Sequence, residues 1–225
     1  MRIWAKEGTH TFVLSGRNIS ALDATKQDLS IRYPKSEFKT LEVPGSESSL
    51  DPLLPNLEAE KFDLCLIAIG SNISQKLAES KQTYLMEQLL TTGVYVVALT
   101  ALVADVFEKQ GFGTIGVIGS VAGDRGRAYN HAYGSAKAMV ETYTEGLQQR
   151  LAGTNVKVSL IKPGPTATPM TANHGSRLTD PIKVAALITK GLARGKTKIY
   201  APAYWRYIML IVRAIPFFIF RKLTF

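Results

Sequence analysis

The sequence predicts an α/β domain built on a doubly wound parallel sheet. Short apolar runs alternate with longer helical stretches along most of the chain. Two of the runs, Phe62–Ile69 and Gly113–Gly119, are apolar but for Asp63 and Thr114, as strands covered on both faces are. The stretches between strands are long enough for the right-handed crossovers that parallel strands need.

The elements follow in order. Thr11–Leu14 reads as a short strand closed by Ser15-Gly16, and Asn18–Tyr33 as a helix. Phe38–Val43 is a second, weaker strand. Pro44–Pro55 is a turn-rich connection with three prolines. Phe62–Ile69 is a buried strand ending at Gly70. Tyr84–Gln110 is a long helix with a break near Gly93. Gly113–Gly119 is another buried strand, and Tyr133–Leu151 a helix ending at Gly153. Val156–Ile161 is a strand stopped by Pro163-Gly164. Pro181–Gly191 is a helix and Thr197–Tyr200 a last strand. Residues 1–202 are expected to form the domain and residues 203–225 a separate apolar, basic tail. Ligands of such sheets sit at the carboxyl ends of the strands.

Composition narrows the function. Over 225 residues, 46% hydrophobic and 20% charged content is globular and excludes disorder as the main state. The 27 Lys and Arg outnumber the 18 Asp and Glu, a net charge of +9 that suits an anionic partner. The cations are spread out, and the cluster Arg194–Lys198 has no interleaved aromatics, so nucleic acid is not an expected partner. The single cysteine, Cys65, excludes a disulfide framework and a Cys-based zinc site. Cys65 reads as buried in a strand rather than reactive. Three scattered histidines argue against a metal cluster, and His131 reads as a surface or loop residue. Tyr129 and Tyr143 read as structural. No basic-then-apolar leader opens the chain, so a cytoplasmic location is expected.

Three residues carry chemistry by type and spacing. Ser120 follows the run Gly113–Gly119, at a strand's carboxyl end. Tyr133 and Lys137 lie four apart, on one face of one helix. A phenol of pKa about 10 is a poor acid or base at neutral pH, and a nearby ammonium favours its ionised form. Tyrosine could then exchange a proton with a substrate oxygen while the serine hydroxyl binds that same oxygen. A bare Tyr-x-x-x-Lys is common on solvated helix faces. Ser120, the Pro163-Gly164 turn and the α/β order together favour the chemical reading.

The stretch GTIGVIGSVAGDRGRAYNHAYGSAKAMVETYTEGLQQRL, followed by VKVSLIKPGPTATPMT, resembles the short-chain dehydrogenase/reductase family. The resemblance runs roughly from Ile3 to Tyr200 and implies a Rossmann-like fold and a nicotinamide cofactor. It implies that Ser120 orients a substrate carbonyl and that Tyr133 is the acid/base. Lys137 would hold the nicotinamide ribose and lower the tyrosine pKa. Pro163, Gly164 and Thr168 would lie against the nicotinamide carboxamide. Gly70 is what remains of the family's Asn-Asn-Ala-Gly. Met170–Asp180 matches the family's mobile substrate loop. The place where NAD-preferring members usually carry an acidic residue reads Ser15-Gly16-Arg17-Asn18. Arg17 could pair with a 2′-phosphate, which favours NADP(H) over NAD(H), unless it only caps the following turn. Glu42 matches the family's adenine-contacting aspartate. The family's assembly into dimers or tetramers implies a homo-oligomer.

Two departures stand out. The family's first strand and its Gly-rich phosphate loop have no counterpart here, because Met1–Gly8 resembles the end of the helix that follows them. That strand would lie between Thr11–Leu14 and Phe62–Ile69, and both would lose a partner. A start at an internal methionine of a longer reading frame is the expected cause. The rival is a disabled relative acting as a membrane-associated or interaction protein. The family's catalytic asparagine falls near Thr92, and threonine could also hold a water.

The tail from Ala203 to Phe225 mixes aromatics with Arg206, Arg213, Pro216 and Arg221-Lys222. Its apolar run is too short and too charged to span a bilayer. It fits an interfacial helix at the inner face of the cytoplasmic membrane, or one packed on the domain or on a second copy. The tail and the stretch Gly123–Arg127 resemble polyprenyl-phosphoryl-ketopentose 2-reductases, which implies a keto sugar on a lipid phosphate as the substrate class.

Overall fold

The computed structural model describes residues 1–171 and 178–223. The chain divides into two compact units, Met1–Asn56 and Leu57–Phe225. The division expected at 202/203 is therefore displaced, and the tail belongs to the second unit. All recorded strand pairs are parallel, as the sequence predicts.

In the first unit α1 (Arg2–Glu7) leads into β1 (Thr11–Gly16), α2 (Ile19–Arg32) and β2 (Glu37–Glu42). Helix α2 starts where the Asn18 side chain accepts from the Ala21 amide at 3.0 Å. The cap is thus Asn18, and Arg17 stands just before it. Ala5, Leu14, Leu29 and Phe38 form the core, and the Phe12 and Phe38 rings stack 5.2 Å apart. Strand β1 pairs with β2 from Thr11↔Glu37 to Gly16↔Glu42.

In the second unit α3 (Leu54–Glu58), which starts just before the division, precedes β3 (Leu64–Ile67), α4 (Gln75–Ser80) and α5 (Gln82–Leu89). Then come α6 (Tyr95–Gln110), β4 (Gly113–Ile118), α7 (His131–Arg150), β5 (Val156–Pro163), α8 (Pro181–Ala193) and β6 (Lys198–Ala201). The sheet order is β3-β4-β5-β6. Strand β5 is buried almost throughout, and so is the middle of β4. Strand β3 is not, because it is an edge: Leu66 is 38% exposed. Among the described residues β1 and β3 each have one partner, in accord with the missing central strand.

The break expected near Gly93 is a π-helical turn, Leu90–Val94, that joins α5 to α6 without interrupting the helix. The run Gln82–Gln110 is long and apolar enough to cross a membrane by length and composition alone. Thr92, Val96, Val103 and Phe107 are buried in the domain, as in a core helix. The chain ends in α9 (Trp205–Ala214) and α10 (Phe217–Phe220).

Candidate active site

The site is built at the carboxyl ends of β3 and β4. Lys137, on the inner face of α7, is 2% exposed. Its ammonium donates to the carbonyls of Ile118, at the end of β4, and Ile69, just beyond β3, at 3.0 and 3.3 Å. Among the described residues these two carbonyls are its acceptors, and an ammonium can donate three hydrogen bonds. Tyr133 lies one turn earlier, with the Lys137 Nζ 5.9 Å from its ring centroid. Ser120 follows β4 and caps a short 3-10 turn, Val121–Asp124, by accepting from the Ala122 amide at 3.1 Å. Ser120 also hydrogen-bonds the Tyr133 phenol. The structure therefore brings Ser120, Tyr133 and Lys137 together.

Two glycines allow this convergence. A Cβ on Gly123 would lie 2.9 Å from the Ala138 nitrogen and the Lys137 carbonyl carbon. One on Gly134 would lie 2.9 Å from the Ala122 oxygen. Only bare backbone lets the 121–124 turn press onto α7 and carry Ser120 to Tyr133.

Burial sets the protonation states. It pushes the Tyr133 phenol above its ordinary value of 10.0, and the Ser120 hydrogen bond pulls the other way without prevailing. It also lowers the Lys137 ammonium to about 8. The expectation that Lys137 lowers the tyrosine pKa is corrected here, because burial dominates both groups. Tyr133 is a protonated phenol at neutral pH.

Gly70 and Thr92 adjoin the lysine. A Cβ on Gly70 would stand 3.4 Å from Lys137 Nζ and 3.7 Å from Thr92 Cγ2. The Thr92 hydroxyl is fully buried, accepts from the Ser71 amide at 3.2 Å and lies 2.9 Å from the Ser71 hydroxyl. The absent side chain of Gly70 and the third Lys137 proton fit a ribose diol. In the first unit Arg17 and Glu42 line one open depression of about 340 Å³, with Val43, Pro44 and Leu53. A guanidinium at a strand's carboxyl end fits an adenosine phosphate.

Other expected positions behave differently. Pro163 ends β5, and Gly164 donates its amide to the Ala201 carbonyl at 3.1 Å. The Cβ side of Gly164 is occupied by Trp205, whose Nε1 would be 1.9 Å from a Cβ there. Thr168 is exposed, and its recorded bonds are to Thr171. Of the substrate-loop stretch Met170–Asp180, residues 172–177 lie outside the described residues. His131 is exposed, with Nε2 3.0 Å from Gln75 Nε2, and not directed at the site. Cys65 is held in a strand, and burial pushes its thiol up to about 12.

One network escapes sequence reasoning. Lys162 in β5 is fully buried and pairs with Asp124 at 2.9 Å and with Glu141. Lys198 joins Glu141 at 3.2 Å. These pairs pin the turn behind Ser120 to β5 and α7. A lysine inside the apolar run VKVSLIKP was the one visible signal.

The family model described as short chain dehydrogenase matches residues 2–179. An uncharacterized oxidoreductase of Streptomyces coelicolor is 34% identical over 188 residues, 83% of this chain and 74% of that protein. One of Mycobacterium tuberculosis is 31% identical over 221 residues, 95% of this chain and 87% of that protein. A short-chain dehydrogenase from Sphingobium yanoikuyae, solved with NADPH, superposes with a TM-score of 0.81 at 21% identity, covering 93% of this chain and 85% of that one. The chain belongs to the short-chain dehydrogenase/reductase family of oxidoreductases, whose members bind NAD(P).

Proposed function

We propose that this protein is an NADP(H)-dependent carbonyl reductase of the cytoplasm. The observation that carries the reading is the convergence of Ser120, a protonated Tyr133 and a buried Lys137 at the ends of β3 and β4. When bound, the nicotinamide supplies the hydride. The chain's own residues manage the oxygen. The Ser120 hydroxyl donates to the substrate carbonyl oxygen and polarises it. The Tyr133 phenol gives that oxygen its proton as charge develops there. The Lys137 ammonium, one turn away, offsets the negative charge left on the tyrosine. Its third proton would hold the ribose. Arg17 would take a 2′-phosphate, and Glu42 would face the adenine.

The substrate class we favour is a keto sugar carried on a lipid phosphate. A panel of keto sugars and aryl ketones with NADPH tests the reading. The expected result is turnover of at least one carbonyl, abolished in Tyr133→Phe and strongly reduced in Ser120→Ala. Turnover that persists in Tyr133→Phe would overturn it.

A further inference from the structure

The tail is apolar on two opposite sides. Trp205, Met209 and Val212, at i, i+4 and i+7 on α9, turn inward with Phe220 onto Val121. Arg125 fixes this docking. Its guanidinium donates to the carbonyls of Val212, Ile215 and Arg213 at 2.5, 2.6 and 3.2 Å. It also stacks 3.8 Å from the Phe220 ring centroid. The chain's need to bury α9 is met by that inner stripe.

The outer stripe has no such explanation. Tyr207, Leu210 and Ile211 are each 66% exposed, and Phe217 and Phe218 reach 72% and 64%. A contiguous apolar patch of this kind marks an interaction surface. Arg206 and Arg213 lie roughly a quarter turn around the helix from both stripes. Arg221 and Lys222 follow α10. No Asp or Glu occurs from 203 to 225.

We infer that the outer face of α9 and α10 docks on the surface of a bilayer containing anionic phospholipid. Charge decides between the two coverings. Of the four cations, Arg213 lies 3.9 Å from the buried Asp124 carboxylate and stays 60% exposed. A second copy on this face would still bring four more cations to these four with no carboxylate side chain from either tail. Lipid phosphates supply the missing negative charge. With Tyr207, Leu210, Ile211, Phe217 and Phe218 sunk among the acyl chains, the flanking arginines reach the headgroups from the side. Met209, on the inner stripe, packs on Val121, next to Ser120, so the docking helix leans on the turn that carries the serine of the candidate active site. Delivery of a lipid-carried carbonyl to that site is a consequence resting on the reductase reading. Docking itself needs no cofactor, so vesicle binding and NADPH binding can fail separately.

The test is cosedimentation of the full chain with vesicles of equal parts phosphatidylcholine and phosphatidylglycerol, and with phosphatidylcholine alone. The expected result is binding to the mixed vesicles that weakens as salt rises. The triple change Leu210→Ser, Ile211→Ser and Phe218→Ser should weaken it about tenfold or more while the thermal midpoint stays put, since none of the three belongs to the inner stripe. Arg206→Gln with Arg221→Gln and Lys222→Gln should do the same for the mixed vesicles. Wild-type protein left in the supernatant with both vesicles would overturn the inference. So would a dimer in solution that the triple serine change dissociates, since a second copy would then cover the face.

Discussion

At the residue scale, the proton belongs to Tyr133. Tyr133→Phe keeps the ring packed against Ala132 and its neighbours but removes the acid. The expected loss in kcat/KM is roughly 10²–10⁴-fold with NADPH binding unchanged, read by steady-state kinetics beside a binding titration. Lys137 sets the pH dependence. Burial brings its pKa down from 10.5 to about 8, so the cation is present below that pH and lost above it. Reduction needs both the protonated phenol and the neighbouring charge. The kcat/KM for reduction should therefore fall as pH rises through about 8. A profile flat from neutral pH to well above 8 would remove the lysine charge from the mechanism. This trio was legible because a four-residue spacing fixes a helix face without knowledge of the fold. The protonation states were not, because they depend on how deeply the neighbouring elements bury each group.

At the element scale, the short turn after β4 matters more than its length suggests. It carries Ser120, rests on α7 and is gripped by Lys162. Gly123→Ala would force this turn off α7, where a Cβ has no room. Overpacking of that kind costs about 1–3 kcal/mol, and the Ser120–Tyr133 hydrogen bond should stretch. Thermal unfolding should show the loss in stability, and kcat/KM should drop further than KM rises. Arg125 ties the same turn to the tail. Arg125→Ala leaves three carbonyls at the end of α9 without their donor, and removes the stack on Phe220. Faster tryptic cleavage at Arg213 and Arg221 is expected, with the core fragment intact. The strand and helix limits were legible to within a residue or two for most elements, while the sheet order β3-β4-β5-β6 came only from the structure. Asn18 and Asp180 announce the starts of α2 and α8 as side-chain caps. The π-helical turn at Leu90–Val94 was visible only as a suspected break, since one residue too many in a turn leaves no mark on the apolar pattern. The Lys162–Asp124–Glu141 cluster could not be read, because its members are brought together only by the crossing of β5, α7 and the turn.

At the scale of the whole molecule, the described strands form two sheets. The pair β1-β2 belongs to the first unit and the four strands β3 to β6 to the second. Among the described residues β1 and β3 each pair with one strand, and the sequence offered no strand to place between them. It did not foretell that the chain would divide near Asn56 rather than before the tail. Arg17 and Glu42 lie in the first unit, and Gly70 and Lys137 in the second. What Arg17 gives the proposed function is a preference for NADPH. Its most direct test is a fluorescence titration of the 225-residue chain with NADPH and with NADH, beside Arg17→Ala. Saturable NADPH binding, about tenfold or more tighter than NADH and reduced to parity by Arg17→Ala, is the expected result. No saturable binding, or an NADPH affinity that Arg17→Ala leaves untouched, would contradict it.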